Sequence, residues 1–278
     1  MAKKAHQKKV NLKKIKNWSF FLLPLLILGY FIFYKITDRY NYYIFVSEDS
    51  PIEYAQFFFF LLAGFLALIT CVNLFKKRSS FFALYYLFFS LALFFVAFEE
   101  ISWGQRILEI ETPEHIAKKN VQDEITVHNL HPVQVRLPQA YIIIGLWGTF
   151  GWIVASKTKK RLPWIKNFFP PKTLSLYFFP VFAYYFWVEY LDEIIAIAVR
   201  DLALPQTDFP GKTTLSWLQF WFHKDLNFLD AYVNAQDQEP VEFIFSLGIL
   251  LFTFNNFLKN IPKTTIAKPL KHLFSNSS

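Results

Sequence analysis

Four groups of polar residues carry side chains able to do acid–base or metal chemistry. The first is the string Glu99-Glu100-Ile101-Ser102-Trp103-Gly104-Gln105-Arg106. On a helix its Glu99, Trp103 and Arg106, spaced i, i+4, i+7, share one face. The second is Glu124-Ile125-Thr126-Val127-His128-Asn129-Leu130-His131, in which Glu124, His128 and His131 repeat that spacing. If the segment is helical, one carboxylate and two imidazoles lie on one face, a ligand set suited to zinc or iron. The third is Glu189, Asp192 and Glu193, with Arg200 two turns beyond. The fourth is Glu239 with Glu242, echoed by Glu53.

Each group also has a simpler role. Acids in the first turn of a helix complement its dipole, which accounts for Glu53, Glu239 and Glu242. Glu99, Glu100 and Arg106 suit an internal salt bridge, and His128 and His131 suit an exposed loop. Glu189, Asp192 and Glu193 suit ion pairs with Arg106 or Arg200. The chemical reading gains weight because three separate segments bring acids and imidazoles to one depth.

That depth is set by the apolar segments around them. The chain has 278 residues, 54% of them apolar and only 18% charged, against about 25% charged in a soluble domain. Mean hydropathy is +0.26, and one cysteine, Cys71, excludes a disulfide scaffold. A membrane-crossing helix takes about 20 apolar residues. Six stretches meet or approach this: Trp18–Tyr34, Tyr54–Phe75, Phe81–Trp103, Ala140–Ser156, Leu174–Arg200 and Val241–Leu258. The fold class expected is therefore all-α, a bundle of six transmembrane helices (residues 18–258) between basic tails at 1–17 and 259–278. No small-residue cleavage site follows the first stretch, so it reads as a retained anchor.

Charge fixes the expected orientation. With the N-terminus in the cytoplasm, the inner segments are 1–17, 76–80, 157–173 and 259–278. They carry 7, 3, 6 and 4 Lys or Arg, 20 of the chain's 29, and none of its 21 acids. This obeys the positive-inside rule at every inner loop and places both termini inside. The Lys-rich start is then a topology signal that also suits anionic lipid headgroups, and no nucleic-acid-binding motif accompanies the net charge of +8. At 1.5 Å per residue, Glu189 lies about 22 Å along its helix from Leu174, within a ~30 Å core.

Two outer loops, 104–139 and 201–240, are long and read as structured. Thr112-Pro113-Glu114 has the order of an N-cap, a first-turn Pro and a first-turn acid. A second short helix is expected from Asn120 to Pro132. A third, interfacial helix is expected from Thr214 to about Val233, bearing Trp217, Phe220, Trp221 and Phe222.

The segments Glu48–Tyr54, Glu99–Arg106, Asn120–Glu124 and His128–Leu130 together resemble a set of bacterial multi-pass membrane proteins of uncharacterised activity. The resemblance covers roughly residues 48–132 and implies topology and kinship. Glu99, Glu100 and Arg106 are also similar to the Glu-Glu-x-x-x-Arg motif of intramembrane glutamate proteases of the CAAX-processing type. Here the Arg falls two residues later, Glu124 stands where that family has Phe before its His, and His223 lies in a loop. Walker A, Gly-x-Ser-x-Gly and His-Glu-x-x-His motifs are missing.

The sequence thus predicts a protein of the bacterial cytoplasmic membrane with an enzyme site at its outer face. The expected chemistry is metal-dependent hydrolysis or group transfer on a lipid or lipid-linked substrate. Zinc, iron or manganese would be held by Glu124, His128, His131, Glu189 and Glu193. Glu99 or Glu100 would act as general base and Arg106 would neutralise an anionic substrate group. The alternatives are a non-catalytic subunit with a membrane-protein partner, and a transporter.

Overall fold

A computed structural model describes residues 2–47, 49–120, 124–158, 165, 167–191 and 237–261, with side chains from Ser19 onward except Arg39. These residues form helices and no strand, apart from one isolated bridge between Asn120 and Leu130. In chain order the helices are α1 (Ala2–Thr37), α2 (Arg39–Val46), α3 (Pro51–Lys76), α4 (Ser80–Glu100), α5 (Glu114–Ala117), α6 (His131–Gln134), α7 (Leu137–Thr158), α8 (Ser175–Phe186) and α9 (Glu239–Asn260).

Five helical stretches are long and apolar enough to cross a membrane. They are Ser19–Thr37, Tyr40–Lys76 (which contains α3), Ser80–Glu100, Leu137–Thr158 and Glu239–Asn260. They match five of the six expected spans. In the remaining expected stretch, Leu174–Arg200, the described residues form α8, 12 residues long, and a π-helical turn of 5 residues, Trp187–Leu191. Its remaining residues, 192–200, lie outside the described ones. So do most of the 201–240 loop, with its expected interfacial helix, and nearly all of the 259–278 tail. The helix α1 runs from the basic N-terminal segment into the first apolar span.

The core is built by pairing. α3 packs along α4 and α7 along α8, while α9 lies against both α3 and α8. In α9, 61% of the most apolar window is buried, against 11% in α1, so α9 is the central helix and α1 the peripheral one. Polar side chains on α9 must therefore find protein partners or a cavity. Without water, close backbone approach and interhelical hydrogen bonds hold such a bundle together. Ser90 donates to the Gly64 carbonyl at 2.8 Å across the α3–α4 contact. Gly148 of α7 lets Phe178 of α8 lie where a β-carbon would stand 2.0 Å from the ring.

Helix ends are set by local chemistry. Ser50 caps α3 through the Glu53 amide, Pro51 starts the helix, and Glu53 reaches back to the Asp49 amide at 2.6 Å. α4 stops more abruptly. Ser102, Trp103 and Gly104 all have positive φ (49°, 56° and 77°), conformations that cost a non-glycine residue about 1–3 kcal/mol each. The turn is held by Trp103, whose indole stacks on Phe98 at 5.6 Å and donates to Glu99.

Candidate functional site

At one end of the bundle the N-termini of α3, α7 and α9 and the C-termini of α4 and α8 surround a cavity of about 490 Å³, closed partly by the 124–134 segment. That volume suits a small-molecule site. Its walls carry Glu53 from α3, Glu99 and Glu100 from α4, His128 from the loop, Tyr141 from α7, Tyr184 and Tyr185 from α8, and Glu239 and Glu242 from α9.

The Glu99–Arg106 string builds one wall by binding the loop. Glu99 is buried, and its Oε2 accepts from the Val127 amide at 2.8 Å, the His128 amide at 2.9 Å and His128 Nδ1 at 3.0 Å. Its Oε1 accepts from Trp103 Nε1 at 2.6 Å. Gln105 accepts from the Ile125 amide at 2.6 Å and donates to Thr112 at 2.5 Å. Arg106 bridges Asp49, at 2.5 Å, and the buried Glu124. Glu124 also accepts from Asn129 at 3.2 Å, and Asn120 closes the turn onto the Thr126 carbonyl at 3.0 Å.

This geometry corrects two local expectations. Residues 124–130 form a turn rather than a helix, because side chains of Glu99 and Gln105 take backbone N–H groups that a helix would use internally. The expected face of Glu124, His128 and His131 therefore does not form. His128 turns onto Glu99, Glu124 onto Arg106, and His131 opens α6 as an exposed residue. Pro113 rather than Thr112 holds the N-cap position of α5, since Thr112 is taken by Gln105.

Among the described residues, the expected metal ligands are not brought together. Glu189 lies in the π-helical turn and accepts from Gln139, away from the cavity wall. Asp192, Glu193 and Arg200 lie outside the described residues. Among the described residues, no three His, Cys, Asp or Glu side chains gather as a metal-binding group. Among the described residues, His128 and Glu124 are the expected ligands that line the cavity, and Glu124 is committed to Arg106. Among the described residues, Glu124, His128, His131 and Glu189 therefore do not close on a common point as a zinc, iron or manganese centre would need.

The carboxyls expected merely to complement helix dipoles turn out to face this cavity. Glu239 accepts from Gln56 Nε2 at 2.6 Å, and Glu242 accepts from the Tyr185 hydroxyl. Tyr185 in turn stacks face to face on Tyr141 at 4.5 Å. Glu100 makes no hydrogen bond or ion pair among the described residues, yet it lies within electrostatic range of Glu53, Glu99 and Glu242. Unlike Glu53 and Glu239, it sits at a helix C-terminus, where a negative charge is disfavoured. Tyr141 and Tyr185 carried no sequence signal. The pairing of Glu239 and Glu242 at i, i+3 did, since that spacing aims both at one side of α9.

Glu99 and His128 form the arrangement with the clearest chemical consequence. A carboxylate on Nδ1 fixes the ring's orientation and tautomer, so that Nε2 is the nitrogen left for a ligand or substrate. Nε2 makes no hydrogen bond among the described residues, and Glu242 lies within electrostatic range of the imidazole.

No family model matches the chain, and neither does any curated protein or solved structure.

Proposed function

We propose that this chain is a six-span protein of the bacterial cytoplasmic membrane, with both termini inside, whose outer-face cavity hydrolyses or transfers a group on a lipid or lipid-linked substrate. The observation that carries the reading is the Glu99–His128 pair at the cavity wall. His128 is the general base. Its Nε2 takes the proton of a water or acceptor hydroxyl as that oxygen bonds to an ester carbonyl or phosphoryl centre. The same proton passes to the leaving oxygen as its bond breaks. Glu100 accepts a hydrogen bond from the attacking hydroxyl and orients it. Glu99 is a positioning residue, as its four hydrogen bonds go to the loop and the Trp103 indole.

Lateral access supports a lipid substrate. The cavity wall includes Phe95 and Val188, each 43% exposed. Apolar side chains exposed at this level of a membrane-spanning bundle meet acyl chains, so they supply a path from the bilayer to the acidic interior.

A second reading, a non-catalytic subunit, is favoured by the engagement of Glu99 and Arg106 in docking the loop. One experiment separates the two. Reconstituted protein is incubated with total bacterial lipid and the products are followed by mass spectrometry. The enzyme reading expects a lipid consumed by the native chain, not by Glu100→Gln or His128→Ala, with the Glu100→Gln thermal midpoint unchanged. No consumption of any lipid overturns it, as does a loss of stability in Glu100→Gln without any difference in turnover.

A further inference from the structure

The cavity's charge is unbalanced in a way that names a ligand. Among the described residues, Arg106 is paired to Asp49 and Glu124, and His128 to Glu99. Glu100, Glu239 and Glu242 have no ion-pair partner there, and the contacts they do receive come from neutral donors, the Gln56 amide and the Tyr185 and Tyr141 hydroxyls. Glu100 lines the cavity and receives no hydrogen bond among the described residues. Buried acceptors without donors are costly, and they point to something that brings both positive charge and N–H groups.

Resting on the lipid-site reading above, we propose that the group bound against Glu100, Glu239 and Glu242 is the ammonium of an amine-bearing lipid headgroup. An alkylammonium supplies three donors and one charge. It also gains from aromatic faces, and Tyr141, Tyr184 and Tyr185 line the same space. A single divalent cation meets these walls less well, because the carboxyls stand around about 490 Å³ without three of them closing on a common point. A soluble amine leaves the exposed Phe95 and Val188 walls without a role, whereas a lipid places its chains there.

Binding to the full-length detergent-purified chain tests this by thermal shift, using short-chain phosphatidylethanolamine, its N-acetylated form, phosphoethanolamine and magnesium chloride. Acetylation removes the ammonium and keeps the phosphate and chains. The expected result is saturable stabilisation by phosphatidylethanolamine, at least tenfold weaker for the N-acetyl lipid, and weaker again in Glu242→Gln. Equal binding of the two lipids overturns the proposal, as does no binding of either. Stabilisation by magnesium alone at equal strength overturns it in favour of a cation site, and phosphoethanolamine as strong as the lipid overturns the lipid part. Turnover scored in the same samples keeps the two ideas apart. Amine-selective binding without product retains the amine site and removes the enzyme, whereas turnover of both lipids at equal rate does the reverse.

Discussion

Glu99 holds His128 at two points, accepting from the ring Nδ1 at 3.0 Å and from the backbone amide at 2.9 Å with the same oxygen. One buried carboxylate thus fixes both where the imidazole stands and how it is turned. Trp103, in the left-handed turn that ends α4, donates to the other oxygen and so holds the carboxylate in place.

Removing the two partners of this pair should therefore have unequal effects. Glu99→Ala leaves two backbone amides, an indole and an imidazole without their acceptor, and a hydrogen bond to a charged group contributes about 1.5–3 kcal/mol. His128→Ala removes one of the four donors and leaves the rest in place. We expect a clear fall in the detergent thermal midpoint for Glu99→Ala and a smaller one for His128→Ala. Turnover should fall about 10²–10⁴-fold in both, the range for loss of a general base or its orientation. Equal midpoints for the two variants would contradict this division of roles.

Arg106 forks between Asp49, in the α2–α3 connection, and Glu124, in the outer loop. Lysine carries the same charge at a single point and cannot serve both carboxylates with the same geometry. Arg106→Lys should cost about 1–3 kcal/mol by leaving the buried Glu124 short of donors. Limited proteolysis of the 104–136 segment reads the effect directly, with faster cleavage expected in the variant. Unchanged cleavage would show that Asn129, Asn120 and Glu99 hold the loop unaided.

The α7–α8 contact depends on a missing side chain. At Gly148 an added β-carbon would meet the Phe178 ring at 2.0 Å, and Phe178 is fully buried. Gly148→Ala should destabilise the chain by about 1–3 kcal/mol, the usual cost of overpacking. Adding Phe178→Leu should recover part of the loss, because the two changes share one contact. Denaturation midpoints of the single and double variants in detergent measure that coupling.

The orientation expected from the positive-inside rule is checked by cysteine labelling. Cys71 is 3% exposed and the chain's only cysteine, so a Cys71→Ala background is silent. In intact cells an impermeant maleimide should label Glu114→Cys, at a side chain 93% exposed, and leave Lys76→Cys unlabelled until the membrane is opened. The reverse pattern would put the cavity in the cytoplasm.

The long apolar helices were legible because lipid demands length and apolarity of each segment independently. α3, α4, α7 and α9 begin and end within a few residues of their expected limits. The loop was not legible, since its turn at 124–130 is imposed by Glu99 and Gln105 from another segment, against a spacing that suits a helix. Glu53, Glu239 and Glu242 were visible as residues but not as a site. A carboxylate at a helix N-terminus serves the dipole whatever it faces, and what these face depends on α9 lying against both α3 and α8. Tyr141 and Tyr185 became part of the site by the same non-local packing.

Metal content gives the last test, because the ligand spacing and the site geometry make opposite predictions. Glu124, His128 and His131 at i, i+4, i+7 would bind zinc, iron or manganese on a helix, and both histidines would then matter equally. In the folded chain His131 is exposed and Glu124 is held by Arg106, so His131 should have no share in any bound metal. Elemental analysis of the purified chain beside His128→Ala and His131→Ala is expected to show no stoichiometric transition metal in any of the three. Metal lost in both variants would mean that the 124–131 segment refolds around an ion. Metal lost only with His128 would instead place an ion at Nε2, beside Glu242, and the proton taken from water would then come from a metal-bound one.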